Sequence, residues 1–389
     1  MYTRRPKSNV FRVAAGLLVT SVLTASLSAC GSNPSSTDDS ASSSAQTSAP
    51  LATADRLDAA IGQVMTDKSI PGAIVGIWGP DGVYVRPFGV ADTASDAPMQ
   101  TDFHVRIGSL TKTFTVTALL QLVDQGKLRL DDAIAKYVPG VPSGDIITLR
   151  LLAQMQSGLV TYDAVAAFVD AFTADPQRSF TPAQLLSYAL DKPLQFPPGT
   201  RFDYCNTNTV LLGLVVEKLS GQSLADYVSE HILVPLKLTH TSTPTASAFP
   251  DPHPQGYTVV DGTERVTTAW NPSWSWSNGN MISTLDDMRI WAHALSSGEL
   301  LSEEMRHERF ISALPMSEEK TAFYGLGAFN AAGWIGHSGS MPGFQTVVVG
   351  LPEAQTTLAF FTNTDVPHDT STALARAITE IISPTHVYS

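Results

Sequence analysis

The stretch 103-FHVRIGSLTKTFTVTALL-120 decides how the rest of this 389-residue chain is read. A short β-like run, Phe103 to Ile107, meets Gly108 and then an apolar helix, with Ser109 at the turn and Lys112 three residues on. Residues at that spacing share one face of a helix, with Cβ atoms about 5–6 Å apart. An amine held there can take the proton of a serine hydroxyl, which is a weak nucleophile until an adjacent base activates it. Partial desolvation at a helix start disfavours the charged lysine and moves its pKa toward neutrality. Ser109 is therefore the candidate nucleophile and Lys112 its base. The spacing recurs in Ser317-Glu318-Glu319-Lys320, a polar segment with no apolar helix behind it, which reads as solvated surface. Leu119, Leu120 and Leu122 give the first copy what the second lacks, an apolar face that would bury the helix and hold both side chains.

Upstream of this stretch, Arg4, Arg5, Lys7 and Arg12 precede an apolar run from Val13 to Leu23 and then small residues up to Cys30, the layout of an export signal. The run is too short to span a membrane. Leu27-Ser28-Ala29-Cys30-Gly31 resembles the lipobox of bacterial lipoproteins, which implies lipidation of Cys30 after loss of residues 1–29. The expectation is an exported protein, lipid-anchored to the outer face of the cytoplasmic membrane. Residues 30–53 read as a flexible Ser/Ala/Thr-rich tether too poor in apolar groups to pack, and residues 54–389 as the folded body. The net charge of −12 excludes a nucleic-acid partner, which would need clustered Lys and Arg. With Cys30 lipidated, Cys205 is left without a disulfide partner.

Further outward, Leu57, Ile61, Val64 and Met65 repeat at helical spacing behind Thr53 as N-cap, and Pro71-Gly72 stops the helix. Two β-like runs follow, Ala73 to Trp78 and Val83 to Val90, joined by the turn-forming Gly79-Pro80-Asp81-Gly82. The middle of the chain is mostly helical, and β character returns at Tyr324 to Phe329, Phe344 to Gly350 and Thr356 to Phe361. A final helix spans Thr372 to Ile382. The economical architecture is α+β: one antiparallel sheet built from both ends of the chain, flanked by the N- and C-terminal helices, with a mainly helical insertion over about residues 135–290.

Two more segments bear on the chemistry. In PPGTRFDYCN, residues 197–206, Tyr204 and Asn206 lie two apart and point the same way in extended backbone. Tyr204 can serve as a base or proton relay, and Asn206 can hold a substrate carbonyl or the lysine amine. Trp334-Ile335-Gly336-His337-Ser338-Gly339-Ser340 reads as a strand whose Gly339 permits close backbone approach. There the N–H groups of Ser340 and Ser109 can form an oxyanion hole, often the largest catalytic contribution. Trp274 and Trp276 suit either a cleft wall or a half-buried strand.

Ser109-Leu110-Thr111-Lys112, Tyr204-Cys205-Asn206 and His337-Ser338-Gly339 match, in order, the SxxK, YxN and HxG signature. The chain thus resembles the serine hydrolases of the penicillin-binding-protein and class C β-lactamase superfamily, in particular the D-alanyl-D-alanine carboxypeptidase-like branch. The resemblance runs from about residue 54 onward and includes IPGAIVGIW at 70–78 and LLQLVDQGKLRLDD at 119–132. It implies a β-lactamase/transpeptidase-like fold and an acyl-enzyme on Ser109, with Lys112 and Tyr204 sharing the proton work. It further implies that Asn206 orients the substrate amide and that His337 and Ser338 line the opposite wall; no cofactor or metal is expected, since the nine histidines show no HExxH or Cys-rich spacing. The leading expectation is D-Ala-D-Ala carboxypeptidase-type hydrolysis of cell-wall stem peptides, with a β-lactamase or an esterase or small-peptide hydrolase on the same site as alternatives; a non-catalytic penicillin-binding or sensing lipoprotein is the alternative outside enzymology. Two departures qualify the resemblance. Cys205 stands inside YxN and reads as a packed thiol, and no Lys or Arg occurs between Tyr324 and Arg376 to meet a substrate carboxylate.

Overall fold

A computed structural model describes residues 52–244, 246–311 and 313–388. The expected export signal, Cys30 and all but the end of the expected tether lie outside the described residues.

The first strands after the N-terminal helix are β1 (Gly72–Gly79), β2 (Gly82–Asp92) and β3 (Ala97–Pro98). Gly79 pairs with Gly82, so Pro80-Asp81 is a two-residue hairpin loop at the turn expected from Gly79-Pro80-Asp81-Gly82. β4 (Val105–Arg106) then pairs with β7 (Ile282–Ser283), and β5 (Tyr257–Val260) with β6 (Thr263–Val266), as two small ladders outside the main sheet. The C-terminal third supplies β8 (Leu314–Pro315), β9 (Ala322–Tyr324), β10 (Phe329–Ala331), β11 (Trp334–Met341), β12 (Phe344–Leu351) and β13 (Thr356–Thr362). The nine main strands stand in the order β3-β2-β1-β13-β12-β11-β10-β9-β8, every pair antiparallel. Both ends of the chain thus meet at the β1–β13 ladder, where Ile74 faces Phe361 and Gly76 faces Ala359.

Strand alternation sorts the side chains into two cores. Val75, Ile77, Val347, Val349, Leu358 and Phe360 join Leu57 and Ile61 of the first helix (Ala54–Lys68) with Leu374 and Ile378 of the last (Thr370–Ile382). Ile74, Val348, Ala359 and Phe361 belong to the opposite core, which continues into the helical region and includes Met288 and Trp291 of the Leu285–Ser297 helix. Every residue of β12 is buried, so that strand reads as a nearly unbroken apolar run instead of an alternating one. The helix Thr111–Asp124 lies inside the second core and is buried on nearly all sides.

Several boundaries differ from the sequence reading. The first helix ends at Ser69, in left-handed conformation at φ 54°, before Pro71 is reached, and Thr53 makes no side-chain cap bond. The run from Tyr324 to Phe329 is broken by a tight turn in which the Gly325 N–H donates to Ala328 O at 2.8 Å. Of Phe103 to Ile107 only Val105–Arg106 is strand. Trp274 closes a 3₁₀ turn and Trp276 opens a short helix, so neither sits in a strand.

Candidate active site

Ser109 occupies the centre of a 3₁₀ turn, Gly108–Leu110, that feeds the buried Thr111–Asp124 helix. Gly108 holds φ at 53° and lies so close to β11 that a Cβ there would sit 2.8 Å from Ser340 N. A Cβ on Gly339 would come within 2.0 Å of Ile107 O and 2.5 Å of Thr346 Oγ1. Thr346 Oγ1 donates to the same Ile107 oxygen at 3.1 Å, fastening the turn to the sheet. Because β10 pairs with β11 only as far as Gly336, the His337–Met341 half of β11 keeps one edge free beside this turn. Ser340 is exposed there and Ser338 half-buried. Gly339→Ala is expected to push β11 off the turn and to lower kcat/KM by about 10²- to 10³-fold, the loss that follows removal of one oxyanion donor. Kinetics together with a thermal melt check it.

Lys112 is fully buried. Its Nζ donates to Ser109 Oγ at 3.1 Å and to Asn278 O at 2.9 Å, and lies over the Tyr204 ring at 4.9 Å from its centroid. Burial brings its pKa down to about 7, with Asp163 and Cys205 pulling weakly the other way. A neutral amine beside the serine at ordinary pH is what proton abstraction requires. The spacing argument from the sequence thus corresponds to a direct contact.

The Tyr204 hydroxyl is buried beside the Ser109 hydroxyl. Burial raises its pKa, the nearby Ser109 hydroxyl opposing this in part. At neutral pH it is a phenol able to donate or relay a proton, not a phenolate. Cys205 points away from this face. Its Sγ contacts Leu159 O at 3.4 Å, and burial pushes the thiol up to about 12, which makes it inert packing.

Asn206 begins the Asn206–Ser220 helix, and its Nδ2 donates to Asp163 Oδ2 at 2.6 Å. Its backbone N–H donates to Thr161 Oγ1 at 3.0 Å, and the Thr161 hydroxyl donates to the other Asp163 oxygen. Asn206 Oδ1 is buried without a partner among the described residues. Behind Lys112 a second relay runs from the Asn278 side chain to Tyr162 OH at 2.9 Å and from that hydroxyl to Trp274 O at 2.6 Å. Sequence reasoning missed Asp163, Tyr162 and Asn278, which carry no spacing signature. The one available signal was a carboxylate with no basic neighbour leading into an apolar run, Asp163 before AVAAFV at 164–169.

His337 is tucked inside the wall. Its Nδ1 meets the Ser338 carbonyl and its Nε2 lies 2.9 Å from Tyr324 OH. A carbonyl can only accept, so Nδ1 carries the proton and Nε2 accepts from the tyrosine. Burial, reinforced by Lys112, lowers its pKa to about 3, and it stays neutral throughout the physiological range. The structure therefore brings Ser109, Lys112 and Tyr204 together, backs Tyr204 with His337 at 6.2 Å between ring centroids, and sets Ser340 against the nucleophile turn. The decoy Ser317–Lys320 segment is a turn in which Lys320 has φ 56° and is exposed. Among the described residues no group of His, Cys, Asp or Glu side chains is arranged to hold a metal, and no helix is long and apolar enough to cross a membrane.

Comparison with known proteins follows this geometry. The Beta-lactamase family model matches residues 57–382. Penicillin-binding protein 4* of Bacillus subtilis is 24% identical over 332 residues, covering 80% of this chain and 72% of its own length. The putative penicillin-binding protein PbpX of the same organism is 27% identical over 283 residues, covering 72% of this chain and 66% of that protein. This chain thus spans about two thirds to three quarters of those relatives. Among solved structures, a D-stereospecific amidohydrolase from Streptomyces sp. superposes with a TM-score of 0.75 at 29% identity, covering 84% of this chain and 98% of that one.

Proposed function

Starting from the fact that the chain belongs to the β-lactamase family, we propose that it is a serine amidohydrolase working through an acyl-enzyme on Ser109. The observation that carries this is the buried Lys112 amine 3.1 Å from Ser109 Oγ. Ser109 Oγ attacks the scissile carbonyl carbon while its proton passes to neutral Lys112. The oxyanion is held by the N–H groups of Ser109 and Ser340. The C–N bond then breaks, the leaving amine taking a proton delivered through Tyr204 and Lys112. Water attacks the resulting ester, Lys112 and Tyr204 accept its proton, and cleavage of the C–O bond returns that proton to Ser109. The products are an amine and a carboxylic acid.

Two substrate classes draw on this chemistry. D-Ala-D-Ala carboxypeptidase-type hydrolysis of cell-wall stem peptides is supported by the penicillin-binding-protein relatives. It calls for a cation opposite the terminal carboxylate, and no Lys or Arg occurs between Tyr324 and Arg376. Hydrolysis of small amides and peptides makes no such demand and is supported by the Streptomyces amidohydrolase. We take the second as the better supported. The test is a panel of a D-amino acid amide, a D-Ala-D-Ala-terminated peptide, nitrocefin and p-nitrophenyl acetate, read by turnover and by intact-protein mass. Amide turnover with an acyl adduct on Ser109 is expected. Release of D-alanine from the peptide in preference to amide turnover would restore the carboxypeptidase reading, and fast nitrocefin turnover would make it a β-lactamase. Silence across the whole panel would leave a non-catalytic binding protein.

A further inference from the structure

Asn278 stands in a one-turn helix, Trp276–Gly279, which Trp276 opens in the left-handed region at φ 31°. A single turn has little stability of its own, so the place of its carbonyls is set by what its side chains hold. Ser277 is tied on both sides, its carbonyl accepting from Thr115 Oγ1 at 2.7 Å and its hydroxyl donating to Thr209 O at 3.0 Å. Asn278 Nδ2 donates to Tyr162 OH at 2.9 Å, and that hydroxyl donates to Trp274 O at 2.6 Å. A carbonyl only accepts, so the phenol proton is committed to Trp274 and the tyrosine oxygen can only receive the Asn278 amide. Both side chains are buried, where unmatched polar groups are costly. The steps from Ser109 to product give neither of them a proton to carry. What they hold is the residue whose backbone oxygen takes Lys112 Nζ at 2.9 Å.

That oxygen acts at two points. As a base the amine has two N–H bonds and one lone pair, and the lone pair must face Ser109 Oγ, 3.1 Å away. An N–H fixed on Asn278 O aims it there. Once the serine proton has moved, the same oxygen accepts from an ammonium, and a hydrogen bond from a charged donor is the stronger one. We infer that the Tyr162–Asn278 side-chain pair is a positioning device for Lys112, holding the carbonyl that orients the amine and stabilises its protonated form. This rests on the acyl-enzyme reading given above and deepens it. The other groups felt around Lys112 do not change charge near neutrality. Burial holds Tyr162 and Tyr204 above their ordinary range, keeps the Cys205 thiol at about 12 and takes His337 down to about 3, while Asp163 is the carboxylate whose charge reaches the amine.

The test is hydrolysis of p-nitrophenyl acetate by the wild type, Tyr162→Phe, Asn278→Ala and the double variant, with kcat and KM followed over about pH 5 to 9. Tyr162→Phe keeps the ring against Phe168 and removes only the hydroxyl. Asn278→Ala leaves no orphaned amide and does not disturb the neighbour of Asp163, so it decides the matter should Tyr162→Phe fail to fold. Each variant should lose about 10-fold in kcat with KM nearly unchanged, the size of one lost hydrogen bond. The acid limb of kcat/KM should move to lower pH by about half a unit to one unit, because the protonated lysine loses more support than the neutral one. The double variant should show no larger shift than Asn278→Ala alone. A limb that stays in place or moves to higher pH, or shifts that add in the double variant, would overturn the inference and leave the pair as packing, whatever the melting temperatures. A wild type that neither hydrolyses the ester nor gains an acyl group on Ser109 would remove the acyl-enzyme reading, and this inference with it.

Discussion

Ser109→Ala is expected to abolish covalent labelling by penicillin and to lower kcat/KM by roughly 10⁴- to 10⁶-fold on any substrate the protein turns over. The size follows from what the residue does in the proposed reaction. Without Oγ there is no ester, and Lys112 and Tyr204 have no nucleophile to serve. What survives is binding and whatever the backbone donors contribute to direct attack by water. The fold should not notice the change, since Ser109 is half-buried and its side chain is in contact with Lys112 Nζ. A melting temperature within a few degrees of the parent separates loss of chemistry from loss of structure. Cys205 offers no substitute nucleophile, because it is 3% exposed and its thiol is held up at about 12. A Ser109→Ala protein that still acquired an acyl adduct would dismiss the assignment of the nucleophile.

Lys112→Met should cost nearly as much in activity, about 10³- to 10⁵-fold, because it removes the base and keeps the shape. Two pH signatures accompany it. In the parent, kcat/KM should rise with pH through about 7, since Lys112 works only when neutral and its pKa lies there. Stability follows the same group. In the unfolded chain a lysine titrates near 10.4, so between about pH 7 and 10 the unfolded state holds a proton that the native state has lost. Native stability contributed by this site therefore rises with pH across that window and is least below pH 7, where the native protein must bury the charge or release it. Methionine has no proton to exchange, so the variant should compare more favourably with the parent at pH 6 than at pH 9. Thermal melts of both proteins at the two pH values test this, and a difference that did not change with pH would count against a neutral buried lysine.

The order of elements was open to reading from the chain. A turn of composition GPDG, apolar runs at each end and helical spacing between them lead to a sheet built from both termini, because those signals act between neighbours in sequence. Thr53 does stand at the N-cap, though without a side-chain bond, whereas Pro71 as the stop was misjudged. Ser69 closes the helix first in a left-handed conformation that packing tolerates and local propensity does not announce. The Tyr324–Phe329 run looked continuous because nothing charged interrupts it, and Gly327 at φ 69° turns the chain there.

Nucleophile and base were readable because three residues of helix carry one side chain to the other, whatever the rest of the protein does. Their surroundings were not. Asp163, Tyr162, Asn278 and Tyr324 are ordinary residue types far along the chain from Ser109, and only the packing of the insertion against the sheet turns them toward it. Packing likewise decided that His337 is a neutral buried support and that the free atom of Asn206 is an acceptor. The direction an amide faces depends on the partner packed against it, and that partner, Asp163, reaches it through space, across a gap in sequence that no periodicity bridges.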